Sequence, residues 1–473
     1  MSRDQAISTS AGYADNGRFL ADLTRRVAVA TESQNPARRA DCQRYLDGIM
    51  EDFARIGFAG EVIDNPDPAG GPLLIARRQE GDDLPTLLVY GHGDVVAGME
   101  GAWSNGRDPW RVSVEGERIY GRGTADNKGQ HTIVMLALEA VLETRGSLGY
   151  NVVALIETSE ETGSAGLHQV CAEHRDRLTA DWLIASDGPR LAKDAVTLDG
   201  GTRGTVDFDL VCDLRAGAHH SGNWGGLIAN PAVILANAIA SLITATGRIN
   251  VRAIVPAAVP PTVSVALGRI DLVAEEGGPA FDPWWGEPGL SQAERVFGWT
   301  ALEVLAMTAG TPAQPINAIP PRASARLQIR YTVDSDPKRF MPAIRAHLDE
   351  NGFANVAVVP KSTELDWGAT RLDPEHPLMR WAAESVRRTT GAEPTILPNA
   401  GGSLPNDCFA EVLGIPTIWV PHSYSGCSQH APDEHLLRPL VAEGLAVMAG
   451  LFWDLGTDGR PGRPGYGKTT TEG

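Results

Sequence analysis

The chain has 473 residues, 42% of them hydrophobic and 21% charged, with a formal net charge of −18. That length exceeds what one hydrophobic core usually serves, and the negative balance argues against nucleic acid or an anionic membrane as a partner. Five scattered cysteines (Cys42, Cys171, Cys212, Cys408 and Cys427) form no CxxC pair, which argues against a disulfide framework and a thiolate zinc site. The N-terminus lacks a basic-then-apolar leader, and no run reads as a membrane span, so a soluble cytoplasmic protein is expected.

Residues up to about 15 are polar, and a mobile N-terminus is expected. Over residues 18–56 apolar positions recur at helical spacing, broken by a TESQNPARR turn, which predicts two helices. Short buried strands are predicted at 73–77 and 86–90, the second running into Gly91-His92-Gly93-Asp94. The stretch 119–130, IYGRGTADNKGQ, is a strand end, a glycine-laced turn carrying Asp126, and the start of a helix to about 144. A strand at 151–156 ends in Glu157-Thr158-Ser159-Glu160-Glu161, and another at 182–185 ends in Ser186-Asp187-Gly188. Strands alternating with helices imply a largely parallel sheet covered on both faces.

The pattern changes after Gly201. Strands at 206–214, 302–307, 325–333 and 356–359, with helices opened by Asn230-Pro231 and Asp336-Pro337, give the order β-α-β-β-α-β of a ferredoxin-like unit. Residues 250–300, rich in proline and glycine, read as an insertion. A helix at 378–388, strands at 395–397 and 417–420, and a last helix at 436–455 return to the first style. The expected organisation is an α/β domain over 1–200 and 388–456, split by an α+β domain over 201–387, with a disordered tail at 457–473.

Successive strand ends therefore offer His92, Asp94, Asp126, Glu160, Glu161 and Asp187, with His430 added late in the chain. Each has a structural reading on its own. His92 can be a hydrogen-bonded strand-end residue, Asp126 a helix cap, Glu160 and Glu161 a solvated helix start, and Asp187 a turn former. Together, two histidines and several carboxylates without cysteine make a nitrogen and oxygen donor set suited to Zn²⁺, Mn²⁺ or Co²⁺. More acids converge than one ion needs, which favours two ions sharing a carboxylate.

The motifs GHGDVV, YGRGTADNKG, SEETGS, SDG, HHSGNWGG, GGSLP and QHAPDE run from about residue 86 to 435. In them the chain resembles the metallopeptidase family of aminoacylases, acetylornithine deacetylases, succinyl-diaminopimelate desuccinylases, glutamate carboxypeptidases and carnosine-type dipeptidases. The resemblance implies a catalytic α/β domain interrupted by a lid that also forms a homodimer. It implies that His92 and Asp187 bind one metal and Glu161 and His430 the other, with Asp126 bridging. Asp94 is expected to accept the other ring N–H of His92, and Glu160 to act as general base on a metal-bridging water.

In the lid the resemblance points to His220, with His219 as the competing choice, as the oxyanion stabiliser. It points to Asn317, Arg330 and Gly402 as substrate contacts, Arg330 as a fork for a carboxylate. Two departures stand out: Asn127 follows the bridging acid where relatives often carry Asp, and AGMEG follows GHGDVV where a proline-bearing turn is usual. The implied function is metal-dependent hydrolysis of an amide or peptide bond in a small substrate with a free carboxylate, of dipeptidase or carboxypeptidase type. The alternatives are an N-acyl- or N-carbamoyl-amino-acid amidohydrolase and, more remotely, an inactive binding or scaffold relative.

Overall fold

The computed structural model describes residues 2–273, 279–361, 367–458 and 461. It divides into two units, one holding the chain up to Gly201 and from Arg371 on, the other Thr202–Val273 and Ala280–Thr370.

The first unit is built on an eight-stranded sheet. Its order is Ala59–Ile63, Leu73–Arg78, Asn151–Glu157, Thr86–His92, Trp182–Ala185, Thr417–Trp419, Thr197–Asp199 and Thr395–Leu397. The four central strands run parallel. Thr86–His92 and Asn151–Glu157 are buried at every position, as expected of strands covered on both faces. Alternate residues feed different cores: Leu87, Val89, Val152 and Ala154 pack on one face, Leu88, Tyr90, Val153 and Leu155 on the other. In register, His92 stands opposite Glu157, so the two strands end level and deliver their following residues to the same edge.

Helices Lys128–Arg145 and Arg438–Asp458 fill the first of these cores. By length and composition Arg438–Asp458 could cross a membrane, against the expectation that no run would; it is mostly buried inside the unit. The N-terminus is not a loose tail: Arg3–Gly12 is a helix, capped by Ser2 Oγ accepting from Gln5 N–H. Its Arg3 Nε donates to buried Asp454 at 2.8 Å, and Ser10 Oγ donates to the Leu445 carbonyl. Polar composition hid it, because tertiary anchors rather than an apolar stripe hold this helix.

In the second unit four antiparallel strands lie in the order Ala301–Ala309, Arg322–Tyr331, Gly204–Asp213, Val356–Lys361. Helices Pro231–Leu242 and Phe340–Glu350 pack Leu235, Leu242, Phe340 and Ile344 against Phe208, Leu210, Leu327 and Ile329. This is the ferredoxin-like order. Within the stretch read as an insertion, Pro261–Leu267 and Gln292–Phe297 are short helices, the latter closed by a Ser291–Glu294 capping box. The helix Pro377–Thr390 buries Leu378, Trp381 and Val386 in the first unit's core, so the chain re-enters that unit at Arg371 rather than at 388. The predicted tail, beyond Asp458 and apart from Pro461, lies outside the described residues.

Candidate metal centre

The turn before helix Lys128–Arg145 is shaped by its backbone and by one distant acid. Gly123 has φ +86°, and a Cβ there would stand 2.9 Å from both Val95 and Lys128. A Cβ at Gly129 would meet the Thr124 carbonyl oxygen at 2.0 Å. Glu434 Oε1 accepts the N–H groups of Ala125 and Asp126 at 2.8 and 3.0 Å, and its Oε2 accepts from Gly123 N–H and Arg122 Nη1 at 2.9 and 2.8 Å. The Asp126–Asn127 peptide is cis.

Asp126 presents its two oxygens to two different histidines. Oδ1 lies 3.0 Å from His92 Nε2, and Oδ2 lies 3.1 Å from His430 Nε2. Asp187 Oδ2 and Glu160 Oε2 stand 3.5 and 3.9 Å from His92 Nε2, while Glu161 Oε2 stands 2.9 Å from His430 Nε2. Two donor triads result, His92–Asp126–Asp187 and Asp126–Glu161–His430, each with its ligand atoms within 4.8 Å of one another. Asp126 belongs to both. His92 is wholly buried and the His430 side chain is 57% exposed, so one triad is closed and the other open to solvent.

His430 sits at φ +59°, between Ser428 at +57° and Asp433 at +64°, a backbone region that side chains other than glycine seldom adopt. Its loop is held on both sides. Asp433 accepts from Ser104 N–H and from Arg107 at 3.0 and 2.8 Å, and Glu434 anchors the Asp126 turn.

The donors fit divalent cations. Glu161 Oε1 and Asp187 Oδ2 are buried without a hydrogen-bond partner, the signature of oxygens waiting for a cation. Burial, with Asp126 beside it, pushes Glu161 up to about 7, and burial pushes Asp187 up to about 6. Glu160 is raised well above the carboxylate range by burial and by Asp187 and Glu161. Burial disfavours a charge on His92, yet Glu160 and Asp126 lift it well above its ordinary value. Hydrogen bonds that its ring donates to Asp126 and Glu161 push His430 up to about 11. Burial would raise Asp126, but His430 and His92 hold its carboxyl well below the usual range. Burial and mutual repulsion thus disfavour charge on Glu160, Glu161 and Asp187, which divalent cations bound to these donors would relieve.

Asp94 stands behind the His92 ring and makes further contacts of its own. The nearer acceptor for His92 Nδ1 is the Asp94 backbone carbonyl, at 3.1 Å, with the carboxylate at 3.4 Å. The carboxylate chiefly accepts the N–H groups of Glu160 and Glu161, at 3.2 and 3.1 Å. It therefore orients the acidic pair through their backbone. Asn127 also does more than tolerate its place. Burial keeps His131 neutral, Tyr45 Oη donates to its Nε2 at 2.6 Å, and its Nδ1–H donates to Asn127 Oδ1 at 3.1 Å. Asn127 Nδ2 then donates to the Ser186 carbonyl at 2.8 Å, which an aspartate could not do.

The remaining predicted residues are carried by other segments of the chain. In the second unit His220 pairs with Ala318 across a two-residue ladder, and Ser221 N–H donates to the Asn317 carbonyl at 2.9 Å, so His220 and Asn317 are neighbours. The His219 ring packs edge-on against Trp224, while His220 is exposed. Arg330 is half-buried on the face opposite Leu327 and Ile329, and its Nε donates to Gln328 at 3.1 Å. In the first unit Gly402 is exposed, with nothing within 4 Å of a Cβ placed there, so space alone does not demand glycine. Sequence reading gave no role to Glu434 or His131, although Glu434 lay within the QHAPDE motif.

A sequence model described as peptidase family M20/M25/M40 matches residues 88–454. The chain is 24% identical over 471 residues to beta-Ala-His dipeptidase of Mus musculus, covering 92% of each chain. To cysteinylglycine-S-conjugate dipeptidase of Corynebacterium striatum it is 28% identical over 424 residues, covering 86% of this chain and 88% of the relative. The fold is also that of the dipeptidase Dug1p from Saccharomyces cerevisiae, with a TM-score of 0.77 at 20% identity, covering 97% of this chain and 99% of that one.

Proposed function

Since the chain belongs to peptidase family M20/M25/M40 and is a metal-dependent peptide hydrolase, we propose that it cleaves dipeptides or similarly small peptides with a free carboxylate. One observation carries the chemistry: the two oxygens of Asp126 are divided between His92 and His430. On this reading His92, Asp126 and Asp187 hold one divalent cation and Asp126, Glu161 and His430 a second. The nitrogen and oxygen donors suit Zn²⁺ best, with Mn²⁺ and Co²⁺ as substitutes. Bound there, such cations polarise a carbonyl and make water acidic at neutral pH.

Glu160 is the proton carrier. Its carboxylate is buried beside His92 and its backbone is fixed by Asp94. Oε2 takes the proton of the attacking water and returns it to the leaving amine. Asp94 and the Tyr45–His131–Asn127 chain keep the donors in register. His220 as oxyanion donor, Asn317 and Arg330 as substrate contacts, and the Gly402 backbone beside the substrate rest on their match to family motifs. So does a homodimer formed through the second unit.

Relatives spanning about nine-tenths of the chain and named as dipeptidases support peptide substrates. These relatives do not favour N-acyl- or N-carbamoyl-amino-acid hydrolysis. The test is a screen of the metal-loaded protein against dipeptides, N-acyl amino acids and N-carbamoyl amino acids. Dipeptides should have the highest kcat/KM. Preference for an acylated or carbamoylated amino acid would reverse the assignment.

A further inference from the structure

Away from the catalytic cluster, three donor side chains converge in the first unit between the helix Leu167–Glu173 and the segment Cys408–Leu413, with a fourth, Cys171, beside one of them. His168 and Cys171 stand three residues apart on the helix and share one face of it. Asp407 and Cys408 are adjacent where the second segment begins. His168 Nε2 lies 3.0 Å from Asp407 Oδ2. Ligand atoms of His168, Asp407 and Cys408 all lie within 4.8 Å of one another, and the Cys171 thiol lies beside that of Cys408. Asp407 Oδ1 accepts the Cys408 N–H at 3.1 Å, which orients the carboxylate towards His168.

Burial and exposure are divided in a useful way. Both thiols are fully buried in the core on this face of the sheet, whereas the His168 side chain is 51% exposed and gives an ion a way in. Donors around a tetrahedral zinc ion, at about 2.0 Å for nitrogen or oxygen and about 2.3 Å for sulfur, sit roughly 3.3–3.8 Å apart. For His168, Asp407 and Cys408, whose ligand atoms lie within 4.8 Å of one another, that geometry needs about 1–1.5 Å of contraction at most.

We propose that His168, Cys171, Asp407 and Cys408 form a further metal site, suited to a thiophilic divalent cation such as Zn²⁺ and chemically unlike the catalytic centre. On binding, both thiols and the Nε2 of His168 give up their protons to solvent, and two thiolates, one imidazole and one carboxylate complete the coordination. Thiolates favour zinc over hard cations such as Mg²⁺ or Ca²⁺. The ion clips the helix Leu167–Glu173 to the segment Cys408–Leu413. Because the four residues come from two distant stretches with no CxxC spacing, a sequence scan for thiolate sites passes over them.

Cobalt distinguishes this site, because the catalytic donors include no sulfur. Metal-free full-length protein titrated with Co²⁺ until all sites are filled is expected to develop near-ultraviolet thiolate-to-cobalt charge transfer that is missing in Cys408→Ser. His168→Ala, at the surface and outside the catalytic machinery, should keep its hydrolytic rate while the Co²⁺ affinity of the band falls at least about tenfold. Should Cys408→Ser fail to fold, His168→Ala decides alone. A titration without the band, or a band unchanged in His168→Ala, overturns the proposal and leaves an ion pair lying over two packed thiols.

Discussion

Glu434 Oε1 accepts the backbone N–H of Asp126 at 3.0 Å, so one buried carboxylate ties the loop of His430 to the turn of the shared acid. The same carboxylate pairs with Arg122, and both side chains are 1% exposed. Glu434→Ala leaves a buried guanidinium without its ion pair and three backbone donors without an acceptor. A destabilisation of about 3–5 kcal/mol is expected in chemical denaturation, together with weaker metal retention. A variant with unchanged midpoint and metal content would refute the anchoring role.

Glu160→Gln keeps the shape of the side chain and removes its capacity to carry a proton. Neither triad loses a donor, so metal content should stay at the wild-type value. Turnover should fall by about 10²–10⁴-fold, the usual span for loss of a general base. Single-turnover kinetics on the metal-loaded variant make the comparison, and near-normal turnover would move the base elsewhere.

Arg330 is the candidate fork for the substrate carboxylate. Loss of a charge-assisted pair is expected to raise KM by about 10–100-fold in Arg330→Ala, with a smaller change in kcat. C-terminally amidated dipeptides lack the carboxylate and should be hydrolysed equally by both proteins. Equal losses on free-acid and amidated substrates would separate Arg330 from carboxylate recognition.

Stability should fall with rising pH because of Glu157. Its wholly buried carboxyl is pushed up to about 7, by burial first and then by Asp94. It accepts from Tyr90 Oη at 2.7 Å and from the Ser164 and Ser159 hydroxyls at 2.9 and 3.2 Å. Below the ordinary glutamate value both folded and unfolded chains hold this proton. Between about 4.5 and 7 the unfolded chain releases it and the folded one keeps it, so stability drops by about 1.4 kcal/mol per pH unit from this group. Glu157→Gln should flatten that part of the stability profile, as read by urea unfolding across the window. The same slope in the variant would contradict the linkage.

Much of the centre was legible because its residues follow directly on strands that sequence patterns mark well. His92, Glu160, Glu161 and Asp187 each lie within a few residues of a fully apolar run, and parallel strands bring such ends to one edge. What sequence reading missed depends on partners far away in the chain. Glu434 acts on a turn at residues 122–126, and the helix Arg3–Gly12 is anchored by Asp454. Asp94 was matched to the right histidine, but its carboxylate serves two backbone N–H groups whose positions no local pattern encodes. The return to the first unit comes at Arg371, ahead of the expected 388, because no local pattern marks the residues that lead into Pro377–Thr390.

The central claim is that Asp126 holds two cations with one carboxylate, and metal stoichiometry by elemental analysis tests it most directly. Protein carrying His168→Ala, which weakens the thiolate site and serves as the background for the variants below, should keep both ions through desalting after exposure to limiting Zn²⁺ just sufficient for two per chain. His430→Ala should keep the ion of the closed triad and release the other, whereas Asp126→Ala should lose both. An Asp126→Ala protein that retains one ion as tightly as His430→Ala does would contradict the shared bridge.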